Sequence, residues 1–185
     1  MRILKLLVLY AGLAVGANPV AADTGALIAL ADGDLAKIRF HAEPRAVPQT
    51  VFQDADGRDV TLADYRGKHV LLNFWALWCA PCVHEMPALN RLGAAVNGPN
   101  FEVVTITTGR NARPAVEKFF AKKQLTHLPK LFDPKMALAR DIGARGLPVT
   151  VLIGPDGREI ARMEGEAEWD SPAAQKLMRT WMTSN

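Results

Sequence analysis

Val70-Leu71-Leu72-Asn73-Phe74-Trp75, running directly into Ala76-Leu77-Trp78-Cys79-Ala80-Pro81-Cys82, is the stretch that decides how this chain folds. Its first six residues are apolar except for Asn73, the pattern of a strand covered on both faces. From about Ala80 onward Val83, Met86, Leu89, Leu92 and Val96 recur at helical spacing, so the chain leaves a buried strand and enters a helix within a few residues. Cys79 and Cys82, the only cysteines among 185 residues, stand at that junction.

The junction has chemical consequences. A helix N-terminus carries unpaired backbone N–H groups and the positive end of the helix dipole, so a cysteine there holds a thiolate more easily than in a free chain. Free cysteine has a pKa of about 8.5, and such positions lower it to about 3.5–7.5. Cys79 is therefore expected to be the attacking sulfur. Cys82, one turn further and more enclosed, is expected to attack the mixed disulfide and release the product. Pro81 fits the first helical turn, where its missing N–H costs nothing. A zinc site wants four ligands, yet there is no second cysteine pair, and His41, His69, His84 and His127 show no partner spacing. A purely structural disulfide is also a poor reading, because so short a loop removes little entropy from the unfolded chain. The expectation is a redox dithiol without metal or cofactor.

Toward the N-terminus, Arg2 and Lys5 precede an apolar stretch from Leu6 to Ala17, and Val20-Ala21-Ala22 offers small residues before Asp23. This composition predicts a signal peptide or membrane anchor over residues 1–22, and hence a domain outside the cytoplasm. Residues 23–47 read as a spacer with a short helical lead-in, broken by Pro44 and Pro48. A domain over residues 48–185 then opens with a hairpin: Thr50 to Gln53, a turn at Asp54-Ala55-Asp56-Gly57, and Asp59 to Leu62. The turn resembles a calcium loop only superficially, since Arg58 and Tyr65 occupy positions where oxygen ligands are required.

Toward the C-terminus the pattern predicts a strand at Phe101–Ile106, a helix from about Pro114 to Lys123, and a short helix opening at Asp133-Pro134. Strand, helix, strand implies a parallel pair with a right-handed crossover. Pro148–Ile153 and Glu159–Met163 then flank Gly154-Pro155-Asp156-Gly157, a hairpin turn, and a closing helix from Ser171-Pro172 turns Ala174, Leu177, Met178 and Trp181 inward. The fold class is α/β with a mixed sheet. A net charge of +3 spread over scattered lysines and arginines gives no basic stripe, so nucleic acid is not an expected partner.

Three segments carry a family resemblance: Asn73 to Cys82, then Glu85-Met86-Pro87, then Gly146-Leu147-Pro148-Val149-Thr150-Val151-Leu152-Ile153. From about residue 48 onward the chain resembles the thioredoxin superfamily, and within it the exported TlpA/ResA type of thiol–disulfide oxidoreductase. The resemblance implies a thioredoxin-like mixed central sheet flanked by helices, with an additional N-terminal β-hairpin. It implies that Pro148 is a cis-proline facing the dithiol, that Trp78, Leu147 and Pro148 meet the substrate, and that Glu85 helps to set thiol protonation. A partly buried carboxylate would have a raised pKa and could exchange a proton with Cys82. Asn73 stands where ordinary thioredoxins carry a buried aspartate, which leaves Glu85 as the substitute. Pro87 fits a kink that the family places in this helix.

Ala80-Pro81 between the cysteines is closer to the reductase Gly-Pro pattern than to the Pro-His pair of strong oxidants, so the favoured expectation is a disulfide reductase acting on protein disulfides. In an oxidising compartment it would draw electrons from a membrane thiol donor. Cytochrome c maturation and copper-site assembly are the destinations the resemblance suggests. An oxidase or isomerase of the same fold and a thiol-based copper-binding module stay as alternatives. A peroxidase would normally carry threonine three residues before the nucleophile, where this chain has Ala76.

Overall fold

Strand β4 (His69–Trp75) is buried along its whole length because it is paired on both edges and covered on both faces. The computed structural model describes residues 19–184. β5 (Phe101–Thr108) pairs with β4 in parallel and β7 (Val149–Ile153) in antiparallel, so the sheet is mixed, as the hairpin signal at Gly154–Gly157 predicts. With β1 (Arg39–Ala46), β2 (Phe52–Gln53), β3 (Asp59–Val60), β6 (Leu131–Asp133) and β8 (Arg158–Glu164), the strand order is β1-β8-β7-β4-β5-β6-β2-β3. The helices are α1 (Pro19–Leu30), α2 (Ala80–Val96), α3 (Arg113–Lys123), α4 (Ala137–Asp141) and α5 (Pro172–Thr183).

Successive β4 side chains enter two different cores, as strand alternation requires. Leu71 and Trp75 pack with Met86, Leu89 and Leu92 of α2, Val116 and Phe120 of α3, and Leu177 and Trp181 of α5. Val70, Leu72 and Phe74 join Val104, Ile106, Val149, Val151 and Leu138 on the other face. Leu89 and Leu92 are fully enclosed, and truncating either to alanine is worth about 2–5 kcal/mol. The buried side of α2 holds Met86, Leu89, Leu92 and Val96 of the expected stripe and adds Cys82 and Glu85, while Val83 is only half-buried. The helix runs on through Pro87.

The segment expected to be a spacer is structured. Residues 23–47 hold most of α1, a 3-10 turn at Gly33–Lys37 with Leu35 buried, and β1, which pairs antiparallel with β8 as an edge strand of the sheet. Leu27, Leu35 and Ile38 join the α2 core, and that burial outweighs the Pro44 signal that marked a break. The apolar Leu6–Ala17 stretch lies outside the described residues, and Val20-Ala21-Ala22 falls within the first turns of α1. Among the described residues no helix is long and apolar enough to cross a bilayer.

The opening hairpin is shorter than expected, and its turn uses its own carboxylates. Asp54 Oδ1 accepts the N–H groups of Asp56 and Arg58, and the Arg58 guanidinium bonds Asp54 and Asp56. β2 also pairs with β6, which seats the hairpin on the sheet. β6 itself was not foreseen, since three residues are too few to show a period. Its last residue, Asp133, accepts the N–H groups of Ala137 and Ala139, so the short helix begins at Ala137, later than the Asp133-Pro134 signal implied.

Candidate active site

The C-terminal end of β4 delivers the dithiol to the start of α2. Cys79 is the N-cap residue, with extended backbone, and its Sγ accepts the Cys82 N–H at 3.3 Å. The two sulfurs are bonded to each other, with Cα atoms 5.3 Å apart. Cys82 is wholly enclosed and Cys79 is 6% exposed, so the leading sulfur is the one an incoming group can reach. Trp78, immediately before it, is 62% exposed. The turn is fixed from behind: the Leu77 N–H donates to Asn111 Oδ1 at 2.9 Å, while the Asn111 amide donates to the Thr108 carbonyl. Asn111 lies between β5 and α3, and nothing in its sequence neighbourhood signals this duty.

The Leu147–Pro148 peptide bond is cis, as the resemblance implied. One register step from the Phe74–Val149 pair, Pro148 comes level with Trp75, the last strand residue before the dithiol turn. Pro148 is buried, and its carbonyl accepts the Gly165 N–H at 2.9 Å. Leu147 is half-buried and packs against both cores.

Glu85 sits one turn beyond Cys82 and is 2% exposed. Its Oε1 accepts from Asn73 Nδ2 at 2.9 Å, and its Oε2 accepts from the Ala167 N–H at 3.1 Å and Trp169 Nε1 at 2.9 Å. These donors are all neutral. Burial pushes the carboxyl upward, the three donors pull it part of the way back, and the nearby Glu166 charge adds to the rise, leaving it at about 7. Asn73 is completely enclosed and also donates to Thr150 Oγ1 at 3.0 Å, while its own Oδ1 has no partner. A groove of about 560 Å³ opens over Glu85, bordered by His84, Arg91, Glu166 and Asp170.

Of the residues singled out in the sequence, Trp78, Cys79, Cys82 and Glu85 converge at the entry to α2, and Leu147 and Pro148 stand at the adjacent end of β7. Thr150, Ala167 and Trp169 were missed as partners of this site. Thr150 could have been reached by pairing the strands, because it is the register partner of Asn73. Trp169, 84 residues beyond Glu85, gives no local signal. The four histidines are dispersed: His41 bonds Glu159, His84 bonds Glu166, His69 packs edge-on against Trp181, and the His127 N–H is bound by Asn90. Among the described residues no three His, Cys, Asp or Glu side chains gather as metal ligands.

The AhpC/TSA family profile matches residues 44–160. The chain is 38% identical over 111 residues to the thiol-disulfide oxidoreductase ResA of Geobacillus thermodenitrificans, covering 60% of this chain and 63% of that relative. It is 31% identical over 122 residues to ResA of Bacillus cereus, covering 66% and 69%. A Chlorobium tepidum structure described as a thiol:disulfide interchange protein DsbE superposes with a TM-score of 0.66 at 27% identity, over 76% of this chain and 97% of that one.

Proposed function

This chain belongs to the AhpC/TSA family, and on that footing we propose that it is a thiol–disulfide oxidoreductase, working as a reductase of protein disulfides outside the cytoplasm. The observation that carries the reading is the Cys79–Cys82 pair at a helix N-terminus, with a neutral-donor-bound Glu85 one turn behind it. In the reduced protein the Cys79 thiolate attacks one sulfur of the client's disulfide. That bond breaks, a mixed disulfide forms, and the released client thiolate takes a proton. Cys82 then gives its proton to Glu85 and attacks Cys79 Sγ, which re-forms the internal disulfide and expels the second client thiolate. Glu85 passes that proton to the second client thiolate, and the proton on the first comes from solvent, which took one up when Cys79 ionised, so the client gains two electrons and two protons and the dithiol loses them.

Asn73 suits either state of Glu85. Its amide donates to the carboxylate as it stands, and a half-turn offers the unspent Oδ1 to a protonated Glu85 while the Thr150 hydroxyl switches from acceptor to donor. Trp78 and Leu147 give a client segment an apolar seat beside Cys79, and Pro148 leaves the backbone before it free to pair with that segment. Ala76, buried and without a hydroxyl, argues against a peroxidase within the same family.

A membrane thiol donor returns the disulfide to the dithiol in this reading, which rests on Cys79 and Cys82 being the only cysteines in the sequence and on the oxidising compartment that export implies. The Arg2, Lys5 and Leu6–Ala17 pattern supports export, with residues 1–22 as a signal or a tether. The clients are proteins whose cysteines must stay reduced in an oxidising compartment, as in cytochrome c maturation or copper-site assembly. Equilibrating the protein with glutathione buffers tests the direction. A potential near the about −270 mV of thioredoxin supports the reductase; one near the about −120 mV of DsbA makes it an oxidase.

A further inference from the structure

We propose that Trp169 is a positioning residue for proton exchange at Glu85: its indole N–H, brought in by the loop between β8 and α5, occupies Oε2 together with the Ala167 N–H and so directs the exchangeable proton to Oε1. The inference rests on the reading of Glu85 given above and extends it to a residue 84 positions away.

Oε2 receives two N–H donors, from Ala167 at 3.1 Å and Trp169 at 2.9 Å. A carboxyl oxygen that carries the proton would have to turn that proton against donors which have nothing to accept it with. Oε1 faces Asn73, the neighbour that can reverse its amide and present Oδ1. The proton therefore belongs on Oε1, the oxygen turned toward β4. An indole is a donor only and does not ionise at any ordinary pH, so this division of the carboxyl holds across the working range.

The bond is not a by-product of burying a tryptophan. Trp75 is enclosed in the same core, and its Nε1 has no partner. Trp169 is placed by a braced turn instead. Its own N–H donates to the Ala167 carbonyl at 3.0 Å, the Ser171 N–H donates to the Glu168 carbonyl at 3.0 Å, and Lys37 Nζ reaches the Glu166 carbonyl at 2.6 Å. The 3-10 turn at Gly33–Lys37, part of the segment first read as a spacer, thus clamps the loop that holds Glu85.

Charged groups surround the groove on every packed element. Lys37 bonds Asp34 on the 3-10 turn, Arg91 of α2 bonds Asp170, and His84 of α2 bonds Glu166, with Glu168 on the same loop. Of these, Glu166 raises the Glu85 carboxyl through space, whereas Trp169 acts through contact.

The test begins with the unmodified reduced protein and the indole N–H signals of its four tryptophans, followed by NMR from pH 5 to 9. The Trp169 signal, assigned by elimination against Trp75→Phe, Trp78→Phe and Trp181→Phe, is expected to titrate with a midpoint near 7, together with the rate of thiol exchange. In Glu85→Gln the indole titration should vanish and the exchange profile should lose its limb near pH 7. Trp169→Phe leaves Oε2 with the Ala167 N–H alone and removes one donor to the carboxylate, so the midpoint of the exchange profile should rise by about one pH unit, a tenfold gain in proton affinity. In the Glu85→Gln background it should move nothing. A flat Trp169 signal in a protein whose profile Glu85→Gln alters overturns the inference and leaves the Glu85 reading standing. An exchange profile indifferent to Glu85→Gln overturns both. Should Trp169→Phe fail to fold, the indole titration of the unmodified protein decides alone.

Discussion

Glu85 and Glu159 are equally buried, at 2% exposed each, and the protein holds them in opposite ways. Glu159, on β8, is gripped by charge: Arg162 Nε bonds Oε1 at 2.6 Å, the second Arg162 nitrogen bonds Oε2 at 2.6 Å, and His41 of β1 bonds Oε1 at 2.6 Å. Burial pushes its carboxyl upward, but these hydrogen bonds and the Arg162 charge outweigh burial and hold it below the usual carboxylate range. Glu85 has neutral donors only, so burial wins and the carboxyl rises to about 7. The contrast teaches that burial alone does not decide what a carboxylate does. A fixed cation makes it a strut, while neutral amides and an indole leave it free to take and return a proton near neutrality.

The largest expected effect tests the strut. Glu159→Gln leaves the Arg162 guanidinium facing a neutral amide, and because the Arg162 side chain is 21% exposed, the loss lies near the low end for a broken buried pair, about 3 kcal/mol at pH 7. Urea unfolding measures it, and thiol exchange per folded molecule should be unchanged. A loss below about 0.5 kcal/mol would reduce the pair to a surface contact.

A somewhat smaller effect, of opposite pH dependence, belongs to Glu85. Its folded pKa lies above its unfolded one, so its contribution to stability is whole below about pH 4.5 and is lost as pH rises through about 7. The unmodified protein should therefore lose about 2–3 kcal/mol between pH 5 and pH 8.5, and Glu85→Gln should flatten that limb. Glu159 works the other way: its folded pKa is depressed, so its contribution is present above the unfolded pKa and is lost as acid protonates it. Unfolding curves from pH 3 to pH 9 for the two variants should thus lose opposite limbs. Loss of the same limb in both would erase the distinction between them.

These two sites also differ in how far the sequence reveals them. The β4 run, the cysteine spacing, the stripe on α2 and the turn at Gly154–Gly157 are local patterns, and each leads to its element in the structure. Glu85 was legible because it follows Cys82 by one helical turn and because the family resemblance marks it. Its partners were not, since Asn73, Ala167 and Trp169 meet it only once the sheet and the β8–α5 loop are in place. The Glu159 cluster was invisible for the same reason, as His41 lies 118 positions from its partner. β1 escaped notice because an edge strand is only partly covered: its residues alternate little in burial, and the bulge between Phe40 and Arg45 breaks what periodicity remains.

The central claim is that Cys79 opens a client's disulfide and Cys82 closes the cycle, and trapping tests it most directly. Reduced Cys82→Ser and Cys79→Ser proteins are each mixed with a disulfide-bridged peptide and resolved without reductant. A stable adduct on Cys79 in the Cys82→Ser protein, with little or none in Cys79→Ser, is the predicted result. Equal trapping by Cys79→Ser, or none by either, would contradict the assignment of the attacking sulfur and the mechanism built on it.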